Sequence, residues 1–305
     1  MRGYLSEGRR WLEEALARHS DVPEDVRAKA LTIVGRLTLL QGEVLRAQSL
    51  FEEGLNLWRR VGNALGTADA LNRLGLVAME QEEYARASTY YQESLDLYRT
   101  LDDKDGISIV LNNFGELERC RSDFKAASGY YEASLAPAVE TGNIRRRALV
   151  LGNLGFVTWH LGDVKKAEVL LKESLMLKYE LQDEIGLSYC FAGLASVSCE
   201  LGEFQRAALL LGVVDTLLER TRHQLDLADR NDAERTLAAT RVRLAPDVFS
   251  EAWGRGREMI LGQATGYALS ADTQPLHADS IFFHHRAATL IRWVRHIART
   301  YGSGF

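Results

Sequence analysis

The stretch LGFVTWHLGDVKKAEVLLKESL, residues 154–175, places Trp159 and His160 four and five residues after Gly155. An imidazole could serve as a general acid or base if a carboxylate or nucleophile were phased beside it, and the surrounding repeat supplies neither. With Leu149, Asn153 and Phe156 at helical spacing, the pair makes an aromatic and polar stripe suited to an extended or helical peptide. Trp159 is equally readable as a wedge between neighbouring helices. His284 and His285 suggest a metal, but adjacent residues diverge on a helix, and no carboxylate or Cys stands at ligand spacing. Cys120, Cys190 and Cys199 have no His in phase, so they read as small core or groove residues, not nucleophiles. No catalytic residue, metal or cofactor is expected.

Composition narrows the class. The chain has 305 residues, 46% hydrophobic and 26% charged, which is ordinary for a globular protein of one extended or two compact domains. Its net charge of -5 provides no broad basic field, so direct nucleic-acid binding by the body of the chain is not expected. Three irregularly spaced cysteines make no disulfide framework or zinc knuckle and point to a reducing, cytoplasmic setting. No run approaches the roughly 18 apolar residues of a membrane span. Four prolines and little β-branched alternation favour long helices.

The elements that must position the candidate residues come from internal repetition. Gly35, Gly75, Gly115, Gly155 and Ala195 recur at a fixed interval, preceded by Val34, Leu74, Phe114, Leu154 and Leu194. Twelve residues after each comes Ala47, Ala87, Ala127, Ala167 or Ala207, and four later Phe51, Tyr91, Tyr131, Leu171 or Leu211. Between the two anchors Gly42, Glu82, Ser122, Gly162 and Gly202 mark a helix stop and a new start. The spacing predicts helix pairs in which a Gly on the first helix faces an Ala on the second, with the large residue filling the space beside them. One pair cannot bury its stripe alone, so neighbours stack into a solenoid with a concave face.

This pattern, Leu-Gly, then Ala, then Tyr or Phe, resembles the tetratricopeptide repeat in a long form of about 40 residues, over roughly residues 3 to 220. The resemblance implies an all-α, right-handed superhelical solenoid of antiparallel helix pairs with a short helical C-terminal extension. It departs at Ala195 and at the lead aromatic, which is Leu71, Leu111 or Leu151. Asn72, Asn113 and Asn153 are similar to the asparagines with which some such domains hold peptides. The lysines that accompany them in a chaperone-tail clamp are replaced by Asp69, Ile109 and Leu149. Where the first helix ends, Met79 and Glu80, Arg119 and Cys120, Trp159 and His160, and Cys199 and Glu200 vary from copy to copy, as groove positions do. The expected partner-binding groove comprises Asn72, Met79, Asn113, Glu116, Arg119, Asn153, Phe156, Trp159, His160 and Tyr189. The triplet Arg145, Arg146 and Arg147 replaces the turn glycine seen at Gly66, Gly106 and Gly186, and reads first as solvated charge on a helix entry and second as a site for acidic ligands.

The ends extend the resemblance. Gly3, Gly8, Leu12 and Leu16 match Gly42, Ala47, Phe51 and Leu55 with no first helix before them, so an upstream element is expected to cover Tyr4, Leu5, Trp11 and Leu12. Beyond Leu210 the phase is lost, and Pro246 separates two further helices. The run LLGVVDTLLE and the residues around Trp253 and Tyr267 look like the end of the sensor region in bacterial LuxR-type and other STAND-class ATPase regulators. That implies an ATPase or DNA-binding domain outside this chain, since no phosphate loop or helix-turn-helix stands within it. The expected division is 1–220 repeats, 221–269 a helical capping extension, and 270–305 a polar linker with a basic amphipathic tail helix. Two functions follow: a non-catalytic sensor or protein-interaction module of a bacterial regulator, binding a peptide, protein or effector in its groove, or a free-standing scaffold that gathers partners.

Overall fold

The computed structural model describes residues 2–18 and 22–270, with side chains from residue 6 onward. Among them are fourteen helices and no strand. In chain order these are α1 (Arg2–Arg18), α2 (Glu24–Leu40), α3 (Val44–Arg60), α4 (Ala64–Glu80), α5 (Tyr84–Thr100), α6 (Lys104–Cys120) and α7 (Phe124–Glu140). They continue with α8 (Ile144–His160), α9 (Val164–Glu180), α10 (Glu184–Glu200), α11 (Phe204–Thr221), α12 (Leu227–Arg243), α13 (Pro246–Glu258) and α14 (Leu261–Leu269). From α2 to α11 the helices begin at a constant spacing, half the sequence period, so one period is one helix pair.

The phase is kept by the loops. Every three-residue connection from α2 to α11 holds one left-handed residue, with φ between 52° and 86°: Gly42, Gly62, Glu82, Asp102, Ser122, Gly142, Gly162, Gln182 and Gly202. That conformation turns the chain out of the helix and lets the last carbonyls accept from the next amides, as Gly42 N–H donates to Leu39 O at 2.9 Å and Glu43 N–H to Thr38 O at 3.2 Å. The next helix is caught at once where Asn63, Asp103, Asp123, Asn143, Asp163 and Asp183 accept an N–H of the first turn.

Within a pair, glycine makes room for a ring. A methyl group added at Gly75 would lie 2.2 Å from Tyr91 Cε1, and one at Gly115 2.4 Å from Tyr131 Cε1. Gly35 meets Phe51 and Gly155 meets Leu171 in the same way. The expected partner of each glycine was the alanine of the second helix; the close contact is instead the large residue one turn beyond it, while Ala47, Ala87, Ala127 and Ala167 are wholly buried. A second tie is polar: Ser94 Oγ donates to Ala68 O at 2.8 Å, and Ser134 and Ser174 do the same to Ser108 and Ala148.

The pairs stack so that successive first helices touch: α2 meets α4, α4 meets α6, α6 meets α8, and α8 meets α10. No comparable contact joins successive second helices among the described residues, and these reach across through long side chains that form ion pairs, such as Arg59 to Glu93 and Lys166 to Glu132. The first helices therefore line the inside of a curve. The phase ends after α11, which Arg222 closes in a left-handed conformation. Pro246 opens α13 at its first turn, as expected. The N-terminal Trp11 is exposed, and the side chains of Tyr4 and Leu5 lie outside the described residues, as do His284, His285 and the expected tail helix within 271–305. Among the described residues no helix is long and apolar enough to cross a membrane.

Two glycines of similar helical setting give a sharp contrast. Gly115→Ala should overpack Tyr131 and cost about 1–3 kcal/mol. Gly129 lies on the exposed face of α7 with nothing within 4 Å of an added methyl, so Gly129→Ala should stabilise by roughly 0.5–1 kcal/mol. Urea unfolding of the two variants reads both signs, and equal effects would remove the ring-over-glycine contact as the source of the pairing.

Candidate functional site

The inner surface is a polar ladder running from pair to pair. Asn113 Nδ2 donates to Asn72 Oδ1 at 2.8 Å, and Asn153 Nδ2 donates to Asn112 Oδ1 at 3.1 Å and to Glu116 Oε1 at 2.8 Å. Tyr131 O–H donates to the same Glu116 oxygen at 2.6 Å, while Arg119 Nε and Nη2 hold Glu116 Oε2 at 3.0 and 2.8 Å. The sequence period explains the ladder: asparagine, recurring at nearly the same helical position of α4, α6 and α8, stacks on its counterpart in the next. Burial and Glu116 together hold the Tyr131 hydroxyl protonated, well above the usual phenol range.

The concave face already has an occupant from its own chain. Helix α12 lies across α10 and α11 and reaches the ends of α6 and α8. Asp229 Oδ2 accepts from Arg119 Nη1 at 3.1 Å, and His160 Nε2 meets Asp232 Oδ2 at 2.8 Å. Further along, Ser196 Oγ and Thr236 Oγ1 are 2.9 Å apart, and Thr240 approaches Cys199 Sγ at 3.9 Å. Tyr189 joins the chain just before this helix, its hydroxyl accepting from Asp226 N–H at 3.3 Å and lying 3.1 Å from His223 Nε2. The buried residues of α12 are Asp229, Asp232, Thr236 and Thr240, all polar, while Leu227 and Val242 point to solvent. A helix usually docks by an apolar stripe, and this one docks by a stripe of hydrogen-bonding groups at positions i, i+3, i+7 and i+11.

Electrostatics follow from that burial. Desolvation opposes the charge on Arg119, and Glu116 and Asp229 more than offset it, so the guanidinium stays charged. Desolvation raises Asp229, with Arg119 pulling the other way. Burial pushes His160 down to about 4, with Arg235 and Arg119 adding to the effect and Asp229 opposing it. The ring is then neutral at pH 7 and its Nε2–H donates to Asp232. A carboxylate does stand beside His160, supplied from outside the repeats. His160 stacks on Phe124 at 4.2 Å between centroids, with Trp159 at 4.6 Å and Phe156 at 5.6 Å. Trp159 is half-buried on this cluster. Burial raises the thiols of Cys120 and Cys199, which disfavours the nucleophilic thiolate.

Beside the start of α12 the groove opens into a cavity of about 910 Å³. Its wall gathers Met79, Asn113, Glu116, Arg119, Asn153, Phe156 and Tyr189 among the expected groove residues. Asn72, Trp159 and His160 lie outside that wall: Asn72 is buried under Asn113, and His160 is covered by α12. The same wall includes Arg145, Arg146 and Lys178, which the repeat pattern did not mark as groove positions. The polar stripe of α12 escaped the sequence reading because a search for apolar periodicity passes over Asp229, Asp232, Thr236 and Thr240. Their spacing was the available signal.

This curved stack of helix pairs is the architecture of tetratricopeptide solenoids. Residues 26–100 and 66–136 match the family model described as tetratricopeptide repeat. No curated protein matches the chain in sequence. Among solved structures it is similar to BtubC from P. vanneervenii, at 20% identity and TM-score 0.58, covering 74% of this chain and 92% of that one. It is similar to a Rap protein complexed with Competence and Sporulation Factor, at 14% identity and TM-score 0.61, over 86% of this chain and 77% of that one. A Signal Transduction ATPase with Numerous Domains (STAND) protein with a tetratricopeptide repeat sensor, from Pyrococcus horikoshii, aligns at 13% identity and TM-score 0.58 over 84% of this chain and 42% of its own length. At these identities the likeness establishes the fold.

Because α12 is held by polar contacts, removing them should free it without melting the solenoid. A hydrogen bond to a charged group contributes about 1.5–3 kcal/mol. The double variant Asp229→Ala, Asp232→Ala should therefore speed amide exchange across 227–243 by about tenfold or more, with α4 to α9 unchanged. Unchanged exchange in α12 would mean that other contacts hold it.

Proposed function

We propose that the chain is the partner-binding module of a bacterial signal-transduction or transcription regulator. It takes a peptide or protein segment into the concave groove and has no catalytic step of its own. In this reading residues 1–220 are the binding array, and the extension over 221–269 supplies the helix that occupies part of it. The observation that carries the reading is that occupancy. The groove accepts a helix through side-chain hydrogen bonds to Arg119, His160, Ser196 and Tyr189, and beside it stays open over a further 910 Å³. A surface that holds a polar helix from its own chain has the geometry to hold one from a partner. Support for the regulatory role comes from the Rap protein complexed with Competence and Sporulation Factor and from the STAND sensor, which use the same fold. An ATPase or DNA-binding domain outside this chain is the proposed recipient of the signal, through a shift of α12 or of the pair contacts when the groove fills.

The test is a peptide library displayed on phage and selected on the full chain, followed by photo-crosslinking of the selected peptides. p-Benzoylphenylalanine at Met79 or Leu149, in the groove, should capture them, and the same group at Leu45, exposed on the second helix α3, should not. Capture at Leu45 alone, or no selected peptide, would overturn the groove as the binding surface.

A further inference from the structure

The junction between successive pairs repeats a second contact, and its exceptions fall together. Trp58 and Tyr98, near the ends of α3 and α5, lie over Gly66 and Gly106 of the following helix, where an added methyl would come within 2.4 and 2.2 Å of the ring. One period on, the bulk is exchanged: Ala138 stands in the place of the ring and Arg146 in the place of the glycine. At the next junction glycine returns as Gly186, and Lys178 replaces the ring, its Cδ 2.8 Å from a methyl built on Gly186. Two successive junctions thus exchange an aromatic for a cation, and both cations line the cavity.

Neither cation forms an ion pair among the described residues. Arg146 is half-buried, and no carboxylate there lies within ion-pair distance of its guanidinium; the charge that acts on it is the more distant Asp105, whose carboxylate accepts from Thr141 and Asn143. Lys178 is 6% exposed, and its ammonium donates to Gly186 O at 3.3 Å, one long bond for three donors. The carboxylate of Asp183 stands beside the Lys178 stem over Gly186 and accepts from Gly186 N–H at 3.0 Å, capping the helix. Filling space over Gly186 needs only the stem, which a methionine would provide. A buried ammonium and a half-buried guanidinium with no carboxylate in direct ion-pair contact are costly to hold unless an anion arrives. Arg119 on the same wall shows the satisfied arrangement, between Glu116 and Asp229.

We propose that Arg146 and Lys178 form an anion-binding subsite in the groove, which takes an oxyanion carried by the partner segment, either a carboxylate or a phosphate ester. The proposal rests on the groove being the binding surface and adds the chemistry that it selects. Arg146 brings a planar fork of donors and Lys178 a point charge, and both groups suit an oxyanion.

The experiment follows the melting temperature of the full chain at fixed ionic strength as chloride is replaced by glutarate or by inorganic phosphate. A bound anion stabilises the folded state with saturating concentration dependence. The unaltered chain should gain several degrees, and Arg146→Met and Lys178→Met should lose that gain while melting in chloride at or above the unaltered chain. Arg10→Met, at an exposed site on α1, should keep it. A gain with glutarate alone assigns a carboxylate, and a gain with phosphate alone assigns a phosphoryl group. No gain, or one of equal size in all variants as general salting-out produces, overturns the subsite. Calorimetric titration of the unaltered chain with the same anions needs no variant: a saturable one-to-one isotherm supports the subsite, and its absence overturns it. Failure here with groove crosslinks intact removes the subsite alone, and loss of the crosslinks with the anion effect intact removes the groove reading instead.

Discussion

The structure depends on the closeness with which a glycine on one helix lets a large side chain of the next approach. At Gly35, Gly75, Gly115 and Gly155 the space that any other residue would use for its Cβ is taken by Phe51, Tyr91, Tyr131 or Leu171. Each contact fixes the separation and rotation within a pair, and its recurrence in the four pairs from α2 to α9 makes those pairs alike; in α10 the place is held by the small Ala195. The left-handed residue in each loop, set at the same spacing throughout, keeps helix length constant so that this contact recurs in register. Glu82, Asp102, Ser122 and Gln182 adopt that conformation without being glycine, at a local cost that the surrounding contacts offset.

Uniform pairs produce a uniform curve, and a uniform curve frees the inner face for other uses. The residues that make the fold point between helices, whereas the inner positions of α4, α6, α8 and α10 are under no such demand. They carry Asn, Glu, Arg, His and Tyr, tied into a ladder by side-chain hydrogen bonds. The ladder also explains why Asn72 and Asn113 are weak candidates for direct contact with a partner: one is buried beneath the other, and the amide of Asn113 is spent on Asn72. Asn153, Glu116 and Arg119 sit higher in the same network and face the cavity.

Much of the architecture was legible in the sequence because it is written many times over. Five phased copies of a small residue, glycine in four of them, followed by Ala and a large residue located the helices, loops and inner face. Even so, pairing each glycine with an alanine missed the ring, since volume complementarity appears only when both helices are placed. The exchange of Trp58 over Gly66 for Ala138 beside Arg146 was in principle readable from the same period, as one position losing bulk where its neighbour gains it. What could not be read was long-range. The link of Asp229 to Arg119 spans 110 residues, and that of Asp232 to His160 spans 72, across a region where the repeat has ended and no phase survives to align the partners.

The character of α12 then bears on what the groove is for. A helix meant to close a solenoid permanently would bury leucines, as α11 does with Leu209, Leu210, Leu211 and Leu217. Apolar burial contributes about 1.5–3 kcal/mol for each such side chain, and none of it can be exchanged for water without loss. Helix α12 buries carboxylates and hydroxyls, whose hydrogen bonds in the docked state replace ones that water makes when the helix is free, so the hydroxyls add about 1 kcal/mol net each and the two carboxylates about 1.5–3 kcal/mol each. Its docking is thus specific in geometry and made of bonds that another polar segment or water can replace, which is what the proposed displacement by a partner segment requires while the glycine and ring contacts beneath remain untouched.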